Sequence, residues 1–206
     1  MHVILDYNVG NLDSVLKGFE RVGIKAIVSK DIDVIKNATS LILPGVGAFK
    51  ESMDSLNASG LVPTIMEHIN KGKYLLGICL GMQLLYEDSY EFGYHKGLGV
   101  IKGSIKKIEG NVKIPHMGWN NLRFNKEDKI LKYIKEDDYV YFVHSYYVSS
   151  NNEELLVYTN YGPLIPAIVR RGNVYATQFH PEKSGEVGLK ILKAYGEMID
   201  ETISRN

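Results

Sequence analysis

The sequence predicts an α/β fold: an open, mostly parallel sheet with helices on both faces, plus an antiparallel β addition. Three observations lead there. Short apolar runs alternate with helical patterns through the first half of the chain. Those runs are apolar at consecutive positions, as strands buried on both faces are. After about Gly97 the pattern changes to closely spaced β-rich segments.

Residues 3–5 form the first apolar run, and a polar, glycine-containing turn follows at 6–11. Leu12, Val15, Leu16, Phe19 and Val22 then mark one helical face that Gly23 closes. Residues 24–28 return to strand character, and 41–43 repeat it before stopping at Pro44-Gly45. Helices are predicted over 49–56 and 63–70, ahead of a strand at 74–78. Met82, Leu85 and Tyr86 recur at helical spacing after it. Further β segments are predicted at 100–108, 121–124, 139–148 and 155–159. Residues 167–170 and 174–179 flank Arg171-Gly172-Asn173 as a hairpin, and Val187, Ile191, Leu192, Tyr195 and Met198 give a final helix over 186–202 its inner side.

A length of 206 residues suits one domain spanning 1–206. Lys plus Arg and Asp plus Glu both number 24, so no basic excess steers the chain to nucleic acid or anionic lipid. A single cysteine excludes an intrachain disulfide, which fits a reducing compartment. The amino terminus lacks the pattern of a signal peptide, and the longest uncharged, mostly apolar run, 74–86, falls short of the roughly 18 residues of a membrane span. A soluble cytoplasmic protein is expected.

That one cysteine, Cys79, sits in GICLGMQ, where the 74–78 strand gives way to a helix. Gly77 and Gly81 flank it at two residues on either side. This is a nucleophile elbow with sulfur in place of a hydroxyl. The glycines remove the Cβ atoms that would crowd a sharp turn, and the helix start places backbone N–H groups beside the sulfur. A lone cysteine is often a small core residue; the glycines and the strand-to-helix switch favour a nucleophile here.

A cysteine nucleophile needs a base, and the base an orienting group. His180 ends an apolar run and is followed by Pro181 and Glu182. Residues two apart in extended chain share a side, so Glu182 can hold the His180 imidazole. Alone, His-Pro-Glu also suits a solvated loop; with the Cys79 elbow it becomes the second and third members of a triad. The Leu80 N–H is one expected oxyanion donor. PGVG, residues 44–47, ends a neighbouring strand and can supply another through Val46 or Gly47, or be a plain tight turn. No HExxH, CxxC or clustered His/Asp spacing suggests a metal, and no phosphate loop suggests a nucleotide cofactor.

At these motifs the chain resembles the class I (triad-type) glutamine amidotransferases, of flavodoxin-like fold. Within them it is similar to the glutaminase subunits of imidazole glycerol phosphate synthases. GICLGMQ matches the nucleophile segment, FHPEKS (179–184) the triad histidine and acid, and VHSYY (143–147) the segment lining the glutamine pocket. PGVGAF, PHMGWN (115–120) and DYNVGNLDSV near the start carry the narrower likeness. Asn8 stands where the family often has glycine; asparagine tolerates left-handed backbone angles, so little consequence is expected.

The resemblance implies that Cys79, His180 and Glu182 are catalytic and that Gln83, His144, Ser145 and Tyr146 contact L-glutamine. It implies hydrolysis through a Cys79 thioester, without a cofactor. The ammonia would pass to a (β/α)8-barrel cyclase subunit in a heterodimer, which converts PRFAR to imidazole glycerol phosphate and AICAR. Asn11, Pro115, His116, Met117, Trp119, Asn120 and Lys183 are expected to meet that partner; Trp119 is equally suited to a core. The PGVG loop is expected to complete the oxyanion hole only once the cyclase holds its substrate. Rival readings are an amidotransferase subunit serving another acceptor, a thiol peptidase, and a non-catalytic regulatory module of the same fold.

Overall fold

A computed structural model describes residues 1–149 and 153–204. The first strands are β1 (His2–Leu5), β2 (Ala26–Ser29), β3 (Ser40–Leu43) and β4 (Tyr74–Ile78). Next come β5 (Tyr86–Ser89), β6 (His95–Lys96), β7 (Ile101–Lys107), β8 (His116–Asn121) and β9 (Arg123–Phe124). The last are β10 (Tyr139–His144), β11 (Tyr146–Ser149), β12 (Leu155–Asn160), β13 (Leu164–Arg171) and β14 (Val174–Thr177). The α-helices are α1 (Leu12–Arg21), α2 (Ile32–Lys36), α3 (Phe49–Ala58), α4 (Val62–Asn70), α5 (Leu80–Leu84) and α6 (Gly185–Ile203).

The main sheet has the order β2-β1-β3-β4-β14-β13-β12-β9. The five strands from β2 to β14 pair in parallel, and β13, β12 and β9 continue the sheet in antiparallel fashion. A mixed α/β fold with helices on both faces is therefore present. Alternation along the strands divides the core. Val3, Leu5, Leu41 and Leu43 pack with Ile35, Phe49, Ile65 and Leu80 of α2 to α5. Ile4, Ile42 and Leu76 face the other way, onto Phe19 of α1 and Leu192 and Tyr195 of α6. Each such fully buried side chain contributes roughly 1.5–3 kcal/mol through transfer from water.

The rest of the β addition forms two smaller sheets: a mixed one, β11-β7-β5-β6, in which β5 and β7 pair in parallel, and a two-stranded antiparallel β8–β10 ribbon. The predicted 139–148 strand is broken at Ser145, so that β10 pairs with β8 while β11 pairs with β7. The hairpin at Arg171-Gly172-Asn173 is present, with Gly172 at φ +60° and Arg171 opposite Val174.

Three local expectations are corrected, and a short helix is added. The helix after Cys79 stops at Leu84, and Tyr86 opens a strand instead of extending the helical face. Residues 98–100 dock there, with Leu98 N–H on Leu84 O and Val100 N–H on Leu85 O, both at 2.8 Å. The close approach depends on Gly97, whose Cβ would fall 2.2 Å from the Tyr86 carbonyl oxygen. The 24–28 strand begins at Ala26, because the Ile24 N–H closes the end of α1 on Phe19 O. Helix α2 has too few residues to show a period; Asp31 caps it, accepting from the N–H groups of Asp33 and Val34. The 121–124 segment is divided between the end of β8 and β9, and PHMGWN itself is a strand.

Candidate active site

The carboxyl ends of β1, β3, β4 and β14 meet at one edge of the parallel strands, where open α/β sheets carry ligands. Cys79 follows β4 directly. Its φ of +54° and ψ of −112° make it the strained residue of the elbow, rather than either neighbouring glycine. Its N–H donates to Thr177 O at 2.7 Å, tying the elbow to β14. The flanking glycines permit the packing around it: a Cβ at Gly81 would fall 1.8 Å from Leu43 O, and one at Gly77 would sit 3.0 Å from Gly81 O. Cys79 is 7% exposed as a whole residue and lines a cavity.

His180 is the third residue after β14 and is held from both sides. Its N–H donates to Tyr141 O at 3.3 Å, and Ser184 Oγ donates to its carbonyl at 2.6 Å. Nδ1 lies 2.8 Å from Glu182 Oε1, whose side chain is 1% exposed. That leaves Nε2 for the Cys79 sulfur, which borders the same cavity. Burial pushes the imidazole down, but the neighbouring Cys79 sulfur and the hydrogen-bonded Glu182 carboxylate outweigh it and lift His180 to about 10. The arrangement is a sulfur, an imidazole that can take and return a proton, and a buried carboxylate that orients it.

A cavity of about 310 Å³ opens beside the sulfur. Val46, Gly47, Leu80, Gln83, His144, Ser145 and Tyr146 line it with Cys79 and His180, so these sequence-predicted residues do converge. Glu182 lies behind His180 and does not line the cavity. Gly47 has φ +92°, as a tight loop here requires, and Tyr7 Oη donates to Pro44 O at 2.5 Å at the root of that loop. Gln83 is buried, its Nε2 donating to Tyr146 O at 2.9 Å and Gln178 Oε1 at 3.0 Å. His144 is buried too, and desolvation holds it down at about 3, so the ring is neutral.

Three site residues escape the sequence reading. Gln178 is fully buried with Nε2 3.9 Å from Cys79 Sγ; a polar amide inside the apolar run before FHPEKS is the signal that could have found it. Tyr7 stands close enough for the Cys79 charge to add to burial in raising its phenol. Glu91 lines the cavity with its carboxyl raised, chiefly by burial, and accepts from the Phe49 N–H at 2.6 Å. Nothing in its sequence context marks it.

The residues expected at a partner surface divide by strand alternation. Pro115, Met117 and Trp119 point outward, the last two 60% and 53% exposed. Trp119 is therefore not a core residue. His116 is corrected: it points inward, fully buried, and stacks on Tyr161 and Phe142. Asn120 is half-buried and hydrogen-bonded to His116. Asn11 is exposed and caps α1, accepting from the Ser14 N–H at 3.3 Å. Lys183 is exposed, and Lys183 and Pro115 both line the cavity. Asn8 does adopt left-handed angles, at φ +66°. Among the described residues no His, Cys, Asp and Glu cluster could hold a metal ion, and no helix is long and apolar enough to cross a membrane.

Comparison with known proteins meets this geometry. The family model "Glutamine amidotransferase class-I" matches residues 3–195. The chain belongs to the class I glutamine amidotransferases. It is 50% identical over 198 residues to the imidazole glycerol phosphate synthase subunit HisH of Lactococcus lactis, covering 96% of this chain and 98% of that protein. It is 52% identical to the subunit of the same name from Caldanaerobacter subterraneus, covering 95% and 97%, and 51% identical to that of Aquifex aeolicus, covering 94% of each. Among solved structures, a glutamine amidotransferase superposes with a TM-score of 0.73 at 20% identity, covering 94% of this chain and 98% of that one. PurLQS from Thermotoga maritima gives 0.72 at 19%, covering 96% and 98%. At those identities the structures establish likeness of fold.

Proposed function

We infer that this chain, as one amidotransferase domain, is the glutaminase subunit of imidazole glycerol phosphate synthase. The observation that carries the reading is the cavity lined by both Cys79 and His180, with Glu182 on the far side of the imidazole. Cys79 Sγ attacks the side-chain amide carbon of L-glutamine. The N–H of Leu80, and one from Val46 or Gly47, stabilise the oxyanion. His180 gives its proton to the departing nitrogen, leaving a γ-glutamyl thioester and ammonia, then takes a proton from the water that releases glutamate.

The pocket suits a single amino acid. Gln83, Ser145 and Tyr146 offer polar contacts along its wall, and Glu91 supplies a carboxylate for the substrate's α-ammonium group.

Ammonia is a nucleophile only while unprotonated, so it must reach its acceptor out of bulk water. The outward face of β8, with Met117 and Trp119, joins the cavity rim through Pro115 just before the strand and is the docking face for a (β/α)8-barrel cyclase. Asn11 and Lys183 join that contact. The test is to mix the chain with the cyclase, glutamine and PRFAR. Glutamate should appear in step with imidazole glycerol phosphate, and Cys79→Ala should stop both while added ammonia still supports product. Glutamate formation that ignores the cyclase and its nucleotide would overturn the assignment.

A further inference from the structure

A continuous run of hydrogen bonds leads from the nucleophile to the strand that carries Trp119. Beside the sulfur, Gln178 accepts through Oε1 from Gln83 Nε2 at 3.0 Å. The same Gln83 nitrogen donates to Tyr146 O at 2.9 Å, and His144 Nδ1 reaches that carbonyl at 2.8 Å. Beyond it, His144 Nε2 lies 3.0 Å from His116 Nδ1, and Asn120 Oδ1 lies 2.8 Å from His116 Nε2.

The proton positions follow from what each atom can do. A carbonyl oxygen only accepts, so His144 carries its hydrogen on Nδ1. This ring is neutral because burial disfavours its charged form. Its Nε2 is therefore bare and accepts, and His116 must donate through Nδ1. For a free imidazole in water the Nδ1–H form is the less populated tautomer, so something has to select it. His116 is placed to do so. Its ring is sandwiched between Tyr161 and Phe142, with centroids at 3.8 and 4.7 Å and planes within 13° and 17° of parallel. The stack fixes the plane in which both nitrogens lie. Burial lowers His116 as well; Asn120 Oδ1 faces its Nε2 at 2.8 Å, so a neutral ring with its hydrogen on Nδ1 requires that amide to turn over and present its N–H.

We propose that His116 is a positioning residue that locks His144 in its Nδ1–H tautomer and so fixes the Tyr146 carbonyl and Gln83 in the pocket wall. The inference rests on reading the cavity as the glutamine site. Its consequence is that a residue buried outside the cavity sets substrate affinity.

The test is long-range 1H–15N spectroscopy of the histidine rings of the full chain near neutral pH, joined to glutaminase kinetics of its complex with the cyclase. Wild-type His144 and His116 should each show a protonated Nδ1 and a bare Nε2. His116→Phe keeps a flat stacked ring but removes the donor. It should raise the glutamine KM by about tenfold with kcat little changed, the factor expected when a buried acceptor loses its donor. His116→Asn, which returns an amide N–H near the Nδ1 position, should recover most of that loss. An Nε2–H tautomer at wild-type His144, or an unchanged KM in folded His116→Phe, overturns the proposal; if His116→Phe fails to fold, the wild-type spectrum decides alone. Failure of the glutamine reading shows differently, as wild-type Cys79 that resists a glutamine-like electrophile whatever the tautomer.

Discussion

Cys79 occupies backbone angles that L-residues rarely adopt, with φ +54° and ψ −112°. Such a residue stores about 1–3 kcal/mol of strain, held by the packing around it. Glycine relieves that strain and alanine does not. Cys79→Gly is therefore expected to be more stable than Cys79→Ala by about 1 kcal/mol in denaturant unfolding, reversing the usual order of the two residues. Both variants should lose glutaminase activity. His180 gives a prediction in pH. Burial lowers its imidazole, yet Cys79 and Glu182 raise it to about 10, above the ordinary 6.5. A group raised on folding contributes stability that is fully present below about pH 6.5 and is lost as pH rises through about 10. Glu182→Gln removes one charge and should move the His180 ring titration, followed by NMR, to lower pH. The triad was legible because each member sits in a short motif with its own chemistry. Gln178 and Glu91 were not, since their roles arise from neighbours far along the chain: Gln83 and Cys79 for one, the Phe49 N–H for the other.

Helix α5 is only five residues long, and its position depends on contact with the end of β3. A Cβ at Gly81 would meet the Leu43 carbonyl oxygen at 1.8 Å, backbone against backbone, so nothing flexible can move aside. Gly81→Ala should destabilise the chain by about 3 kcal/mol, the upper range for overpacking, and displace the elbow. A Tm unchanged from wild type would contradict this. The same element shows the limit of periodicity as a guide. Leu85 and Tyr86 are apolar at helical spacing, but Gly97 lets a distant segment pair with their backbone and turn Tyr86 into a strand. PHMGWN reads poorly as a strand because its inward positions hold His116, Gly118 and Asn120 in place of aliphatic residues. Most of the parallel strands were legible because runs apolar on both faces have few other uses, while the bounds of β2, the half-exposed edge strand, were misplaced.

Across the whole molecule, the parallel strand ends assemble the triad, and the β8–β10 ribbon stands between it and the exposed Met117–Trp119 face. Tyr141 joins the two, its ring 5.9 Å from Trp119 and its N–H donating to Ser184 Oγ, which in turn holds the His180 carbonyl. Trp119→Ala should weaken cyclase binding by about 30-fold, the value of a typical aromatic anchor. Being half exposed, the same change should alter stability by less than about 1 kcal/mol. Equal loss of stability and binding would mean that the tryptophan serves the fold instead. The central claim concerns the sulfur, and its most direct measurement is peptide mass spectrometry after exposure to a glutamine-mimicking electrophile in the presence of cyclase and nucleotide. A single adduct on Cys79, protected by glutamine and suppressed in His180→Ala, is predicted. An unmodified Cys79, or an adduct formed equally well without His180, would contradict the triad.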